Sequence, residues 1–133
     1  MAKVQFVVHQ DQQILLLDFS GVREASELKS LADRAIELVG TTTLPKSILG
    51  LIDLTGTPVR KGTRLSLQRM SRGNGRFMKA VTFVGLNPLW SFIMKTVLRA
   101  TRRTNHRVFR TRENAVRWLL AFDDSPEKGM GRE

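Results

Sequence analysis

The chain has 133 residues, is 41% hydrophobic and carries a formal net charge of +10, a composition that suits one globular domain with a basic surface. It contains no cysteine, so disulfides and thiolate metal sites are excluded. No apolar run of about 18 residues and no signal-peptide pattern occurs. We therefore expect neither a membrane-spanning helix nor a leader, and because the absence of cysteine suits a reducing compartment, we expect the protein to be cytoplasmic.

The charge is unevenly distributed along the chain. Residues 1–57 hold five Lys and Arg against seven Asp and Glu, a net charge of −2. Residues 58–133 hold seventeen against five, a net charge of +12. Such asymmetry indicates an anionic partner, which is a nucleic acid, an acidic protein or a lipid surface. The alternative is a basic surface with no specific ligand.

The first part of the chain predicts a hairpin followed by a helix and a strand. Residues 3–9 are rich in β-forming residues and lead through a polar turn into the apolar strand 14–19. Apolar residues at helical spacing and an acidic first turn predict a helix over 23–39, which Gly40 ends. A second apolar strand is predicted over 47–54.

Helices and strands continue to alternate in the second part. In chain order we predict a helix over 62–72 capped by Thr63, a strand over 77–84, a helix begun by Asn87 and Pro88 that runs to about 103, a strand over 107–110, and a helix capped by Thr111 that runs to about 122. The remaining residues, 123–133, are polar and predict a flexible C-terminal tail.

This order, ββαβαβαβα, predicts a single α/β domain over residues 1–122. Right-handed crossovers would give a mostly parallel five-stranded sheet with helices on both faces and an antiparallel first strand.

Two strand ends share a pattern. LLLDFSG at 15–21 and GLIDLTG at 50–56 both place an Asp, then a hydroxyl residue and Gly, after an apolar run. Ligands bind at the carboxyl edge of such sheets, so Asp18 and Asp53 are candidates for one shared crevice. Alternatively, each Asp fixes its own turn by bonding to backbone N–H groups.

The segment LIDLTGTPVRKGT at 51–63 approaches a phosphate-binding loop. The P-loop pattern requires Gly-Lys before the hydroxyl residue, whereas this chain has Lys61-Gly62. The transposition argues against nucleotide hydrolysis, but backbone N–H groups, a helix N-terminus and cations still suit an anion. The candidate anion-binding residues are Thr55, Gly56, Thr57, Arg60, Lys61, Gly62, Thr63 and Arg64, together with Asp18 and Asp53. A solvated turn is the alternative.

Three motifs within residues 3–122 resemble the STAS domain, the fold of bacterial anti-sigma-factor antagonists, and above all small stand-alone STAS-like proteins. They are Asp18-Phe19-Ser20-Gly21, Asp53-Leu54-Thr55-Gly56, and the segment TRENAVRWL at 111–119. The resemblance implies a regulatory module that binds a protein partner. Regulatory STAS domains carry D-S-S-G after the corresponding strand, and its phosphorylated serine controls binding to a kinase. Residues 61–64 here read KGTR, so we do not expect that switch.

The residues offer little for catalysis or metal binding. His9 and His106 lie in no nucleophile motif, and no metal-ligand spacing occurs. Acid–base chemistry by Asp18 and Asp53 would need burial to raise one pKa. We therefore expect no enzyme activity, no catalytic residue, no cofactor and no metal.

Two further partner surfaces are suggested. Cations at 60–79 and at 95–112 would suit nucleic acid, although exposed aromatic residues for base stacking are missing. The predicted helix 88–103 is apolar nearly all round, with Leu89, Ile93 and Val97 expected to face the sheet. Its candidate surface for a second copy of the chain, another partner or anionic lipid comprises Trp90, Phe92, Met94, Lys95 and Arg99. Burial under the last helix and Trp118 is the alternative.

Overall fold

The predicted alternation of strands and helices is present in the computed structural model, which describes residues 2–41, 44–58, 60–102 and 104–122. The strands are β1 (Lys3–His9), β2 (Gln12–Asp18), β3 (Ile48–Asp53), β4 (Met78–Val84) and β5 (His106–Phe109). The helices are α1 (Ala25–Val39), α2 (Lys61–Asn74), α3 (Pro88–Ala100) and α4 (Arg112–Ala121). The predicted tail 123–133 and the predicted helix end at residue 103 lie outside the described residues.

The five strands form one sheet in the order β1-β2-β3-β4-β5. β1 pairs antiparallel with β2 in a register that runs from Lys3 opposite Asp18 to His9 opposite Gln12. The other three pairings are parallel. The expected fold class, a mostly parallel five-stranded sheet with an antiparallel first strand, is therefore confirmed.

The helices are divided unequally between the two faces of the sheet. Because the parallel strands follow one another in space, right-handed crossovers place α1, α2 and α3 on the same face. Side chains of these helices accordingly join one apolar cluster, which includes Leu28, Met70 and Met94. α4 follows the last strand and covers the opposite face with Ala115 and Leu119. The central strand β3 is buried along its whole length, as expected for a strand covered on both faces.

The starts of three helices show how well local capping can be anticipated. The Asn87 side chain accepts a hydrogen bond from the Trp90 amide at 2.8 Å, so the predicted cap of α3 is confirmed. Thr111 likewise caps α4 through the Asn114 amide at 3.2 Å. The predicted cap of α2 by Thr63 is wrong, because the helix begins at Lys61 and Arg60 occupies the cap position.

The packing of helix α3 differs from two of the predictions made from its apolar sequence. None of its thirteen residues is buried, so deep burial under the last helix is wrong. The predicted sheet-facing stripe is also wrong, since Leu89 is 65% exposed, Val97 48% and Ile93 36%. Met94 instead packs against the core.

A cavity of about 260 Å³ lies beside the incompletely packed helix α3. It lies between α2, α3 and the sheet, and Gly50 of the central strand lines its floor. Because α3 does not close this gap, it rests on the sheet through few contacts. No helix in the described part of the chain is long and apolar enough to cross a membrane.

Candidate functional site

Two matching turns lie side by side at the carboxyl ends of β2 and β3. Asp18 Oδ1 accepts hydrogen bonds from the backbone N–H and the hydroxyl of Ser20. Asp53 Oδ1 accepts from the N–H of Thr55 at 2.9 Å and from its hydroxyl at 2.6 Å. Each Asp therefore fixes its own turn, which is the local role that its position after a strand favours.

The same two carboxylates also share a partner from the opposite end of the chain. Arg112, the first residue of α4, donates from Nε to Asp53 Oδ2 at 2.6 Å. Its Nη2 lies 3.1 Å from Asp18 Oδ2. The two Asp side chains are 10% and 7% exposed, whereas that of Arg112 is 42% exposed. This arrangement, here named the Asp-Arg-Asp bridge, connects two strands to the only described helix on that face.

Two members of the bridge, Asp18 and Arg112, have pKa values shifted in the direction that favours their charged forms. Burial alone would raise the pKa of Asp18, but hydrogen bonds from the Ser20 hydroxyl and amide and from Arg112 outweigh it, so the pKa is lowered. Burial opposes the charge of Arg112 as well, and hydrogen bonds to both carboxylates nevertheless raise its pKa. Asp18 is thus an ionised structural carboxylate, which does not have the raised pKa that a general acid requires.

The sequence placed Arg112 in a basic group suited to nucleic acid and did not anticipate this role. The available signal was local: the Arg follows the helix cap Thr111, while two Asp residues end neighbouring strands. Their meeting depends on where the last helix crosses the sheet, which the sequence pattern does not specify.

The loop after β3 is held by buried hydroxyl groups. Thr57 is buried and donates its hydroxyl to the carbonyl of Phe19 in the neighbouring turn. Thr63 is also buried, and its hydroxyl donates to the Pro58 carbonyl at 2.7 Å. Gly56 has a positive φ of 73°, which suits Gly at this bend. Two of the three candidate Thr hydroxyls are therefore engaged inside the protein, and that of Thr55 bonds to Asp53.

The cationic residues of this segment surround the start of α2. Arg60, Lys61 and Arg64 are exposed, and no hydrogen bond or ion pair engages their side chains among the described residues. The helix has no side-chain cap and no acidic residue in its first turn. Gly62 packs close to α1, where an added Cβ would lie 3.1 Å from the Ala25 Cβ. Within this loop, Val59 lies outside the described residues.

The residues of the candidate partner or lipid surface on α3 divide into two sets. Trp90 and Met94 are partly buried, whereas Phe92, Lys95 and Arg99 are exposed. Phe92 is 69% exposed. The apolar surface of this helix consists of Leu89, Phe92, Ile93 and Val97.

The histidines and carboxylates form no metal site within the residues that the structure describes. His9 is exposed at the end of β1. His106 stacks against Phe83, with ring centroids 6.4 Å apart, and its Nδ1 lies 2.8 Å from Asn105 Oδ1. The second histidine thus lies in the edge strand β5, in contact with Phe83 and Asn105.

Comparison with known proteins identifies the fold. The chain aligns with an uncharacterized protein of the DUF3478 family with a SpoIIAA-like fold from Shewanella loihica PV-4, at a TM-score of 0.68 and 15% identity over 90% of this chain and 95% of that chain. It also aligns with an anti-sigma-factor antagonist (STAS) domain protein from Planctomyces limnophilus, at a TM-score of 0.56 and 17% identity over 90% and 100% of the two chains. No protein-family model and no curated protein matches it. The expected STAS-like fold is therefore confirmed.

Proposed function

We propose that the protein is a non-enzymatic regulatory module of the bacterial cytoplasm, which binds a protein partner through an anionic group on that partner. The anion would lie at the start of α2, against the loop 55–63. One observation supports this most strongly: Arg60, Lys61 and Arg64 surround a helix start that has neither a side-chain cap nor an acidic first-turn residue.

The physical basis is the positive end of a helix of fourteen residues. The first N–H groups of a helix have no partner within it, and the peptide dipoles favour negative charge there. Most helices satisfy these groups with Ser, Thr, Asp or Asn at the cap position. Here the cap residue is Arg60, so the N–H groups and the cations together favour a phosphate or carboxylate.

The loop is suited to hold that helix start in a fixed position. Thr57 bonds to the turn after β2, and Thr63 bonds back to the loop at Pro58. The solved STAS-domain neighbour is described as an anti-sigma-factor antagonist, and a similar protein-binding role suits this chain. Regulation by phosphorylation of Thr57 or Thr63 does not suit it, because both side chains are buried.

The test is capture of partners from a lysate of the source organism with tagged wild type, the double variant R60A/K61A and the control Arg72→Ala. Arg72 is an exposed cation in the last turn of the same helix, so the control removes charge without touching the helix start. A nuclease-resistant protein retained by wild type and Arg72→Ala but lost from R60A/K61A supports the proposal. Equal retention by all three would refute the role of the loop.

The same experiment separates the other candidate partners. Bound material that disappears on nuclease treatment would show a nucleic-acid surface instead, whose affinity would fall steeply with salt. An anionic lipid surface is a further candidate partner, and it would bind at α3. Exposed apolar residues beside Lys95 and Arg99 on this helix suit a membrane interface. Retention of phospholipid rather than protein would favour it.

A further inference from the structure

The two edges of the sheet differ in how they are protected against pairing with another strand. β5 has only four residues and includes the cation Arg107. β1 has seven residues, contains no Pro, shows no register irregularity, and carries one charged residue, Lys3, at its end. Exposed edges of natural sheets are usually short, charged, bulged or covered. By these criteria, and among the residues that the structure describes, β5 is protected and β1 is not.

The hairpin determines which backbone groups of β1 face outward. Two residues with positive φ, Gln10 at 48° and Asp11 at 66°, connect His9 to Gln12. A two-residue turn of this kind makes the flanking residues a hydrogen-bonded pair. His9, Val7, Gln5 and Lys3 therefore direct their backbone hydrogen bonds toward β2. The alternate residues, Val4, Phe6 and Val8, direct their N–H and C=O groups toward the free edge.

We propose that β1 is a dimerisation surface, at which a second copy of the chain pairs antiparallel and extends the sheet to ten strands. The two-fold axis would pass through Phe6, so that Phe6 lies opposite Phe6 of the other copy. Val4 of each copy would then lie opposite Val8 of the other. These three pairs would exchange six backbone hydrogen bonds.

The symmetry of the sequence is the reason for a second copy rather than an unrelated peptide. The outward residues read Val, Phe, Val and are unchanged when the strand is reversed about Phe6. An isologous interface requires such self-complementarity. Aromatic and β-branched side chains opposite one another also stabilise a strand pair. Val8 is 65% exposed in the single chain, and pairing would cover it.

The first test is sedimentation of the full chain over a wide concentration range. Wild type is expected to form a dimer, and Val8→Pro is expected to raise its Kd at least about tenfold by removing an outward donor at each of two symmetric positions. Val8→Thr retains the donor and serves as control. Wild type that stays monomeric throughout, or a dimer that Val8→Pro leaves intact, would overturn the proposal. So would a dimer dissociated by Phe92→Ser, because that result would place the interface on α3.

The second test fixes the register and does not depend on Val8→Pro folding. The chain has no cysteine, so any disulfide between two copies must join the introduced cysteines. In the proposed pairing Gln5 lies opposite Val7 of the other copy, with Cα atoms about 4.5 Å apart, within disulfide range. A mixture of Gln5→Cys and Val7→Cys chains is expected to cross-link under oxidation. Either variant alone places its cysteines about 8 Å apart and is expected to cross-link poorly. Equal cross-linking of all three samples, or none in the mixture, would contradict the register.

Discussion

The Asp-Arg-Asp bridge predicts that Arg112→Met destabilises the protein far more than an ordinary surface substitution. Methionine retains much of the apolar stem but leaves Asp18 and Asp53 without the donors that Arg112 supplies. Breaking a fully buried ion pair costs about 3–5 kcal/mol, and breaking an exposed one costs about 0–1 kcal/mol. The carboxylates are buried, but the Arg112 side chain is 42% exposed, so water can replace part of what is lost. We expect a loss of about 2 kcal/mol.

This loss is measurable by thermal and urea unfolding at neutral pH. For a chain of this size, 2 kcal/mol corresponds to a fall in Tm of roughly 6–10 °C. Arg117→Met is the matched control, because Arg117 is exposed on the same helix. Among the described residues its side chain donates one long hydrogen bond, 3.4 Å from Nη1 to Asn114 Oδ1. Its effect is expected to stay within about 0.5 kcal/mol. Arg112→Lys is expected to recover little, since an ammonium group does not reproduce two directed bonds from one planar guanidinium. Equal losses for Arg112→Met and Arg117→Met would refute the stabilising role of the bridge.

Two further predictions concern the same edge of the sheet. The pKa of Asp18 is lowered in the folded protein, because hydrogen bonds outweigh the effect of burial. Its contribution to stability is therefore complete above the ordinary value of 3.8 and is lost as the pH falls toward the lower folded value; acid titrations of unfolding should show a steeper loss for wild type than for Asp18→Asn. Gly85 has a φ of 83°, and an added Cβ would lie 2.5 Å from the Thr55 backbone N. Gly85→Ala should cost at least about 2 kcal/mol, whereas Gly75→Ala, with open space around it, should leave the urea midpoint nearly unchanged.

The order of strands and helices was predictable because each element carries a local signal. The apolar runs of β2 and β3 are long enough to indicate strands buried on both faces, and both turns after them follow from Asp and a hydroxyl residue. Asn87 and Thr111 are caps whose geometry depends on only a few neighbouring residues. These features needed no knowledge of how distant segments meet.

The orientation of α3 was not predictable for a physical reason. When nearly every position in a helix is apolar, periodicity does not select the face that packs. Which face packs depends instead on how α3 fits against α2 and the sheet. Met94 packs against the core, whereas Leu89 faces solvent. Arg112 was missed for a related reason, because its partners are 59 residues away or more and no local pattern connects them.

The bridge also affects the charge that a partner would meet at this edge of the sheet. Without Arg112, Asp18 and Asp53 would place two negative charges at the strand ends, close to the loop that leads into α2, and would oppose an approaching anion. Arg112 offsets one of these two charges, and both carboxylates are largely withdrawn from solvent. Arg60, Lys61 and Arg64 add exposed positive charges at the start of α2. If the proposed anion site is correct, Arg112→Met should therefore weaken partner binding as well as stability, and Asp18→Asn should not weaken it.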